Sequence, residues 1–365
     1  MTQEEILKAL SNVEEPDLGK DLVTLNMIKD IVINDNKVSF TIVLTTPACP
    51  MKDMMKMASE NAIKLLVNKD AQITVNFTSN TTTKRVEGSQ TLAGVKNIIA
   101  VVSGKGGVGK STVSANLALA LAAGGAKVGL MDADIYGPSQ HIMFGIRGER
   151  PMMTDDGTGK GKIVPIEKYG IKVMSIGLLI DEKQAVVWRG PMVSSAIKQF
   201  VSDVEWGELD YLVIDMPPGT GDIHLTIVQN VPVTGVIVVT TPQLVALADA
   251  KKGVAMFGQA SLKVPVIGLV ENMSYFTPEE LPDNKYYIFG KDGGKHLADE
   301  FDISLLGQIP IVQNIREGGD NGEPVMVGDD GISKRAFEEF AGNAVRSIAM
   351  RNANLPATKI QAILE

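Results

Sequence analysis

Hydrophobic residues in the second part of the chain occur in short unbroken runs that alternate with segments of helical periodicity. Six runs follow residue 95, and they read NIIAVVS, KVGLMD, YLVID, GVIVVTT, VPVIGLVEN and SLLGQIP. A parallel strand that is buried on both faces needs such continuous apolarity, whereas a half-exposed strand alternates. The pattern from 95 to 350 therefore predicts an α/β domain with a doubly wound, mostly parallel sheet.

The first 77 residues follow a different pattern. Two alternating segments suited to strands, 28–33 and Lys37–Leu44, lie between a short helical start at 4–10 and a longer predicted helix at 50–67. A further strand is predicted at 72–77. Helix and strand mixed in this way indicate a small α+β domain.

The segment between these two parts is polar and has neither helical nor strand periodicity. It covers residues 78–94, with the sequence TSNTTTKRVEGSQTLAG, and we interpret it as a flexible linker. A flexible segment of this length spans roughly 20–25 Å root-mean-square, enough for one domain to reach across the face of the other. Residues 351–365 form a short C-terminal tail.

Composition mainly excludes classes of partner. The chain has 35 basic and 43 acidic side chains, a net charge of −8, and no dense run of lysine and arginine. We therefore expect neither nucleic acid nor a membrane surface as a partner. The N-terminus, MTQEEILKAL, has no apolar signal segment, and the single cysteine in 365 residues cannot form an internal disulfide. These features predict a cytoplasmic protein.

A glycine-rich loop, SGKGGVGKST at 103–112, carries the strongest chemical signal. Its glycines fit the dinucleotide fingerprint G-x-G-x-x-G, but the loop also fits the far more specific P-loop G-x-x-x-x-G-K-S, which places Lys110 at the β and γ phosphates and the Ser111 hydroxyl on Mg²⁺. We expect the loop to bind ATP through its whole length. Its predicted binding residues are Gly104, Lys105, Gly106, Gly107, Val108, Gly109, Lys110, Ser111 and Thr112.

The additional lysine early in this loop, Lys105, gives the form K-G-G-x-G-K-S. That form resembles the deviant P-loop of the MinD/Mrp group of ATPases, in which two subunits face each other across nucleotide and this lysine reaches the partner's phosphates. The resemblance implies a homodimer in which Lys105 and Lys110 both act in catalysis, because a charge arriving from the partner stabilises the transferring phosphoryl group. A solvated surface lysine is the alternative reading of Lys105.

Four polar residues at the ends of three predicted strands complete the candidate site. Asp132 and Asp134 follow the strand KVGLMD, and either carboxylate could orient the attacking water; the match of D-x-D-x-x-G-P-S to the family's switch segment favours Asp134 as catalytic. Asp215 ends YLVID and is the expected Walker B residue, holding Mg²⁺ together with the loop serine. Asn272, in ENMS, is a candidate contact for adenine, although capping of a turn explains it equally well.

These segments, with WRGPMVSSAIKQF at 188–200, resemble the Mrp/ApbC family of ATP-binding iron–sulfur cluster carriers over nearly the whole chain. EEPDLGKDLVTLNMIKDI and LTTPACP resemble the small domain that precedes the ATPase in many members. The resemblance implies a slow, dimer-dependent ATPase that delivers clusters to apo-protein clients. One departure matters: members usually carry a C-x-x-C pair after the ENMS strand, but residues 274–294 here contain no cysteine. The family's bridging cluster therefore cannot be carried over.

The single cysteine, Cys49, is the candidate iron–sulfur residue because it lies in the matching LTTPACP motif. Pro50 suits the first turn of a helix, which places Cys49 near the N-cap, where the helix dipole and Lys52 would lower the pKa of its thiol. A small buried hydrophobe is the alternative interpretation.

Two other function classes stay open. One is a scaffold or positioning ATPase like MinD that has lost cluster binding; against it, the tail lacks a basic amphipathic helix. The other, weakly supported, is a dinucleotide oxidoreductase.

Overall fold

The structure, a computed structural model, describes residues 1–86, 91–155, 161–180, 188–259, 262–278 and 280–360. These residues form a small N-terminal domain and a larger α/β domain. None of the helices found in these ranges is long and apolar enough to cross a bilayer.

The small domain packs two helices against a three-stranded sheet. Its elements are, in chain order, α1 (Gln3–Leu10), β1 (Glu14–Glu15), β2 (Lys20–Asp21), β3 (Ile28–Asn34), β4 (Lys37–Leu44), α2 (Lys52–Leu66) and β5 (Gln72–Ser79). The sheet has the order β3-β4-β5, antiparallel in the first pair and parallel in the second. Alternate residues of β4, among them Phe40 and Ile42, are buried under α1 and α2. The five predicted elements are confirmed, with ends displaced by at most two residues.

The α/β domain is built on an eight-stranded sheet. Its elements are β6 (Val95–Ser103), α3 (Lys110–Ala123), β7 (Val128–Asp132), α4 (Gln140–Met143), β8 (Ile166–Lys168), β9 (Ile171–Ser175), α5 (Gly190–Ser202), β10 (Leu209–Asp215), α6 (Asp222–Asn230), β11 (Gly235–Thr240), α7 (Leu244–Gly258), β12 (Val266–Glu271), α8 (Gly293–Phe301), β13 (Leu305–Gln308), α9 (Gln313–Asn321) and α10 (Ile332–Asn354). The strand order is β13-β12-β11-β6-β10-β7-β9-β8, and every neighbouring pair is parallel except β8 with β9. The prediction of a mostly parallel sheet is confirmed.

Helices cover both faces of this sheet. On the central strand β6, Ile99 and Val101 pack with α3 and α10, while Ile98, Ala100 and Val102 pack with α5, α6 and α7 on the other face. Successive side chains of a strand point to opposite faces, so a strand covered on both sides must be apolar throughout. This double burial is the physical origin of the unbroken hydrophobic runs.

The two domains meet at the segment that leads into α2, residues 46–50, which we call the cysteine loop. The alanine of this loop packs on the core formed by α3 and α10. The hydroxyl of Tyr211, a residue of β10, donates a hydrogen bond of 2.8 Å to Oγ1 of Thr46. The cysteine loop is thus seated on the α/β domain near the end of the sheet where the strands begin.

The segment that follows β5 also contacts the α/β domain. Arg85 donates hydrogen bonds to the main-chain oxygens of Thr91 and Leu92, and it pairs with Thr358 of the tail in a short parallel bridge. Residues 78–94 were predicted to be a flexible linker, but over residues 80–86 the chain is held by these contacts. Residues 87–90 lie outside the described residues. The last helix, α10, continues four residues beyond the predicted end at 350.

Candidate functional site

The glycine-rich loop joins β6 to α3 at the carboxyl end of the parallel strands, where open α/β sheets bind ligands. Two of its glycines have left-handed backbone, with φ of 84° at Gly107 and 80° at Gly109. A Cβ on Gly104 would lie 2.2 Å from the main-chain carbon of Asp249, and one on Gly109 would lie 2.2 Å from Nδ2 of Asn272. The loop therefore needs glycines for two reasons: they allow its left-handed backbone, and they leave room for neighbouring residues to pack closely against it.

A buried network surrounds Lys110 at the start of α3. Its Nζ donates to Oδ1 of Asp215 at 2.7 Å and lies 3.3 Å from the Ser111 hydroxyl oxygen. The Ser114 hydroxyl also donates to Oδ1 of Asp215, at 3.0 Å, and Gln140 Nε2 donates to Oδ2 at 2.8 Å. The predicted phosphate-binding lysine and the predicted Walker B carboxylate thus form an ion pair that is almost fully buried.

Asp132 is fully buried and accepts four hydrogen bonds. Three come from the main-chain N–H groups of Asp134, Ser139 and Gln140, at 3.2, 3.0 and 3.1 Å, and one comes from the Ser175 hydroxyl at 2.9 Å. Burial, helped by a neighbouring carboxylate, raises the pKa of Asp132 to about 7. Its oxygens hold the segment that follows β7 in place, with three of the four hydrogen bonds on Oδ2.

Asp134 is placed differently. Its Oδ2 lies 3.8 Å from Nζ of Lys110, and its Oδ1 accepts a hydrogen bond of 3.3 Å from the main chain of Gly137. Burial raises the pKa of Asp134, and the nearby ammonium of Lys110 opposes that rise. Of the two aspartates considered from the sequence, Asp134 is therefore the one that faces the phosphate-binding lysine.

Asn272 contacts the loop itself. Its side-chain Nδ2 donates a hydrogen bond of 2.8 Å to the main-chain oxygen of Val108. The carboxamide therefore holds the phosphate loop in place through a hydrogen bond. This role differs from the turn cap that was considered from the sequence.

A cavity of about 660 Å³ lies beside Asn272 and Gly109. Its walls are mainly apolar and are formed in part by Ile142, Met143, Ile288, Pro310, Ile311 and Val312. Cavities of this size and character commonly hold small ligands. Sequence reasoning missed these walls because they belong to segments without a motif.

Lys105 is partly exposed in the same loop. Its main-chain oxygen accepts a hydrogen bond of 2.9 Å from the Ser103 hydroxyl. Within the described ranges no ion pair holds its ammonium. The side chain is therefore available to a charge from outside this chain.

Comparison with known proteins accounts for both domains. A family described as NUBPL iron-transfer P-loop NTPase matches residues 94–345, and a family described as iron–sulfur cluster assembly protein matches residues 3–75. An iron–sulfur cluster carrier protein of Synechocystis sp. is 46% identical over 352 residues, which cover 96% of this chain and 99% of that protein. The chain belongs to the iron–sulfur cluster carrier family of P-loop NTPases.

Other members of the carrier family and one solved structure agree with this assignment. The iron–sulfur cluster carrier protein of Escherichia coli K12 is 44% identical, over 87% of this chain and 84% of that protein. A nucleotide-binding protein from Archaeoglobus fulgidus, solved in complex with ADP, superposes with a TM-score of 0.56 at 39% identity and covers 64% of this chain and 89% of that one. The expected family resemblance is thus confirmed.

This member of the carrier family has no cysteine in the region after β12. Tyr275 is buried there, and Phe276 exchanges main-chain hydrogen bonds with Tyr286 at 2.8 and 2.9 Å. Across the part of the chain that the structure describes, no group of three or more His, Cys, Asp and Glu residues could hold a metal ion.

Cys49 is half-buried against the core of the small domain, in the cysteine loop. Helix α2 begins at Lys52 with Met51 as its N-cap, so Pro50 lies outside the helix and the thiol precedes the N-cap by two residues. The Lys52 ammonium lies 5.0 Å from the centre of the Phe77 ring.

Burial removes water from around the Cys49 thiol, and this desolvation raises the pKa of the thiol. The carboxylates of Asp17 and Glu15 add to the rise, and hydrogen bonding to the main chain of Met51 only partly opposes it. The prediction of a lowered thiol pKa is therefore wrong. Local sequence shows the helix that follows Cys49, but it does not show the acidic residues that the fold brings near it.

Two residues of the site had not been singled out from the sequence. Ser114 follows Lys110 by one helical turn and so lies on the same face of α3, a spacing that could have identified it. Gln140 directly follows the switch-like segment, but no motif marks a glutamine there. Their shared contact with Asp215 emerges only from the fold.

Proposed function

We propose that this chain binds and hydrolyses ATP and carries iron–sulfur clusters to apo-proteins. The observation that carries the proposal is the buried Lys110–Asp215 ion pair beneath a complete phosphate loop. It occurs in a chain that matches cluster carriers over nearly its whole length. The dinucleotide alternative explains neither the buried lysine nor its carboxylate partner.

ATP binding changes the partner of Lys110. Triphosphate oxygens at the loop compete with Asp215 for the ammonium, while the main-chain N–H groups at the start of α3 bind the same phosphates. Ser111 and the released Asp215 provide oxygen ligands suited to Mg²⁺ and its water shell. Bound Mg²⁺ would neutralise charge on the phosphates.

Asp134 is the proposed water-orienting residue. It lies on the segment after β7 and approaches Lys110, whereas Asp132 is committed to main-chain hydrogen bonds. A carboxylate whose pKa is raised by burial is a better proton acceptor than an exposed one. Asp134 therefore accepts a proton from water as it attacks the γ-phosphate.

The base of the nucleotide fits the apolar cavity beside the loop. Asn272 lines this cavity and also holds the loop through Val108. An adenine ring buries its faces against the apolar walls, while the carboxamide lies close enough to contact the polar edge of the ring.

Turnover is proposed to be slow and to require a homodimer. The ammonium of Lys105 has no counterion in the described chain, and a second copy facing the site would bring its own Lys105 to the phosphates. Until that charge arrives, the transferring phosphoryl group lacks part of its electrostatic stabilisation.

The cluster is the cargo. A cluster generally needs four ligands, and a dimer of this chain offers one Cys49 thiol from each subunit. The remaining ligands must come from a client protein or a small thiol. Incomplete ligation makes the cluster easy to hand on, which suits a carrier.

The substitution Cys49→Ser tests the cargo directly. We expect the variant to lose the iron and sulfide taken up during anaerobic reconstitution, because it has no thiolate left, while ATP hydrolysis stays within about twofold of wild type. Absorbance and metal counting give the readout, with and without an added small thiol and a client protein. Met57→Ser, at an exposed position of α2, is the matched control.

Equal iron uptake by wild type and Cys49→Ser would remove Cys49 from the proposal. If the wild type takes up no iron under any of these conditions, a scaffold ATPase that has lost its cargo replaces the carrier function.

A further inference from the structure

Gln140, which is fully buried, joins three parts of the nucleotide site. Its Nε2 donates to Oδ2 of Asp215 at 2.8 Å and to the main-chain oxygen of Ser111 at 3.0 Å. Its main-chain N–H donates to Oδ2 of Asp132 at 3.1 Å. One residue thus contacts the Walker B carboxylate, the phosphate loop helix and the segment that carries Asp134.

The orientation of this carboxamide follows from its neighbours. Both partners of Nε2 are acceptors, so a flipped amide would place two oxygens against Oε1. In the observed orientation Oε1 is buried and has no hydrogen-bond partner. A buried acceptor without a donor is uncommon in folded proteins, which marks this carboxamide as unusual in its surroundings.

We propose that Gln140 is a positioning residue that holds Asp215 ready for Mg²⁺ when Lys110 turns to the phosphates. In the described chain Oδ1 of Asp215 accepts from Lys110 and Ser114, so loss of the lysine leaves the carboxylate with Ser114 and Gln140. The role rests on the proposed ATPase function. It also links occupancy of the Mg²⁺ site to the segment that carries Asp134.

Gln140→Leu tests this role, because leucine keeps a similar volume and removes the donor. We expect the Mg²⁺ concentration for half-maximal binding of a fluorescent ATP analogue to rise about tenfold, as for loss of one hydrogen bond to a charged group. Binding of the analogue in EDTA stays within about twofold of wild type, and kcat falls about tenfold. Gln199→Leu, at an exposed position of α5, is the control, and Gln140→Met replaces leucine if the first variant unfolds.

An unchanged Mg²⁺ dependence in a folded variant would overturn the positioning role. Equal losses of binding with Mg²⁺ and in EDTA would also overturn it, because they would indicate core packing alone. A wild type that binds no ATP would instead contradict the proposed function, so the two failures can be distinguished.

A second, independent observation concerns the place where the cysteine loop packs on α3 and α10 of the α/β domain. We call this contact the seat of the loop. A Cβ on Gly124, at the end of α3, would lie 2.6 Å from Cβ of Ala48, and one on Gly342 of α10 would lie 3.1 Å from Cβ of Pro50. The residues on both sides of Cys49 are therefore in close contact with helices of the α/β domain.

Polar contacts reinforce this seat. Nε of Arg346 on α10 donates to Oδ1 of Asp17 at 2.5 Å, and the side chain of Asp17 is almost completely buried. The Tyr211 hydroxyl donates to Thr46 in the loop itself. Both contacts join elements that are far apart in the sequence, so they depend on the docked arrangement of the two domains.

The seat lies far from the phosphate loop. Helix α3 begins at Lys110 and ends beside the cysteine loop, a length of roughly 21 Å at 1.5 Å per residue. The docked cysteine loop therefore lies at the opposite end of α3 from the phosphate loop.

We infer that the small domain is a releasable latch: its docking through Ala48 and Pro50, the neighbours of Cys49, restricts the approach of large reagents and clients to the thiol. Release requires the Arg346–Asp17 pair and the two glycine contacts to separate. The idea that release lets a client reach Cys49 rests on the proposed carrier function. The docking of the two domains does not rest on it.

Gly124→Ala and Gly342→Ala test the latch by adding one methyl group at the seat. Both glycines have helical backbone, where alanine is otherwise favourable, so the variants should not unfold the helices. We expect alkylation of Cys49 by a maleimide carrying a bulky group to become about fivefold faster or more. Gly253→Ala on α7, where a Cβ would meet nothing within 4 Å, is the matched control.

Arg346→Ala provides a separate test, with Arg335→Ala as its control because Arg335 pairs with Asp330 on the surface of the same helix region. Faster alkylation in Arg346→Ala but not in Arg335→Ala supports the latch. Unchanged alkylation in all three seat variants would overturn it. Alkylation needs neither ATP nor iron, so a failed reconstitution would leave this result standing.

Discussion

Lys110→Ala is expected to abolish ATP binding. The ammonium is the buried cation at the phosphate loop, and without it the phosphates face main-chain dipoles and the carboxylates of Asp134 and Asp215. Two hydrogen bonds to charged groups, at about 1.5–3 kcal/mol each, correspond to a loss of about 10²–10⁴-fold in affinity. Isothermal calorimetry with ATP and Mg²⁺ measures the change.

The same substitution leaves Asp215 buried without its counterion, which alone can destabilise the fold. Lys110→Gln retains a donor for Asp215 and separates loss of phosphate affinity from loss of folding, provided that thermal melting is followed in parallel. Lys56→Ala, at an exposed position of α2, controls for loss of a lysine elsewhere. An unchanged affinity in a folded Lys110 variant would end the assignment of the loop as an ATP site.

Lys105→Ala is expected to reduce ATP turnover by up to about 10³-fold while ATP affinity changes little. A cation supplied by a partner subunit can increase the rate by about 10³–10⁵-fold, and a lysine, without the bidentate geometry of arginine, belongs at the low end. The variant should also lose nucleotide-dependent dimerisation, because the partner's phosphates no longer attract it. Turnover at saturating ATP and sedimentation with and without nucleotide measure both effects.

Lys295→Ala, an exposed position on α8, is the matched control for this measurement. Unchanged turnover in Lys105→Ala would make this residue a solvated surface lysine. A reduced turnover without any change in association would place its action within one subunit.

The elements that sequence reasoning identified share a simple physical cause. The central strands are buried on both faces, and this burial is visible locally as continuous apolar runs. The strands β8 and β9, at one side of the sheet, were not predicted, because they are short and polar residues interrupt their apolar ones, as in Ile171–Ser175. A strand of this kind is recognised by its neighbours in the sheet rather than by its own sequence.

The residues of the candidate site likewise fall into those that a local sequence pattern reveals and those that only the fold brings together. Lys110 and Ser111 belong to a motif whose chemistry fixes its spacing, and Asp134 and Asp215 stand where parallel strands end. Gln140 reaches Asp215 through contacts between residues that are distant in the chain, which no local pattern reveals. Burial, with a smaller effect of the acidic residues Asp17 and Glu15, raises the pKa of the Cys49 thiol, so the prediction from the adjacent helix had the wrong sign.

The Arg346–Asp17 contact also has a consequence for the order of events during synthesis. The two partners are separated by 329 residues. At about 5–20 residues per second, Arg346 is added roughly 15–65 s after Asp17. The small domain has its own core and can fold during that interval, but helix α10 does not yet exist to receive it. Each new molecule therefore passes through a period on the ribosome when the small domain is folded but the α10 side of the contact beside Cys49 is still missing, so the docked arrangement can form only after the chain is nearly complete.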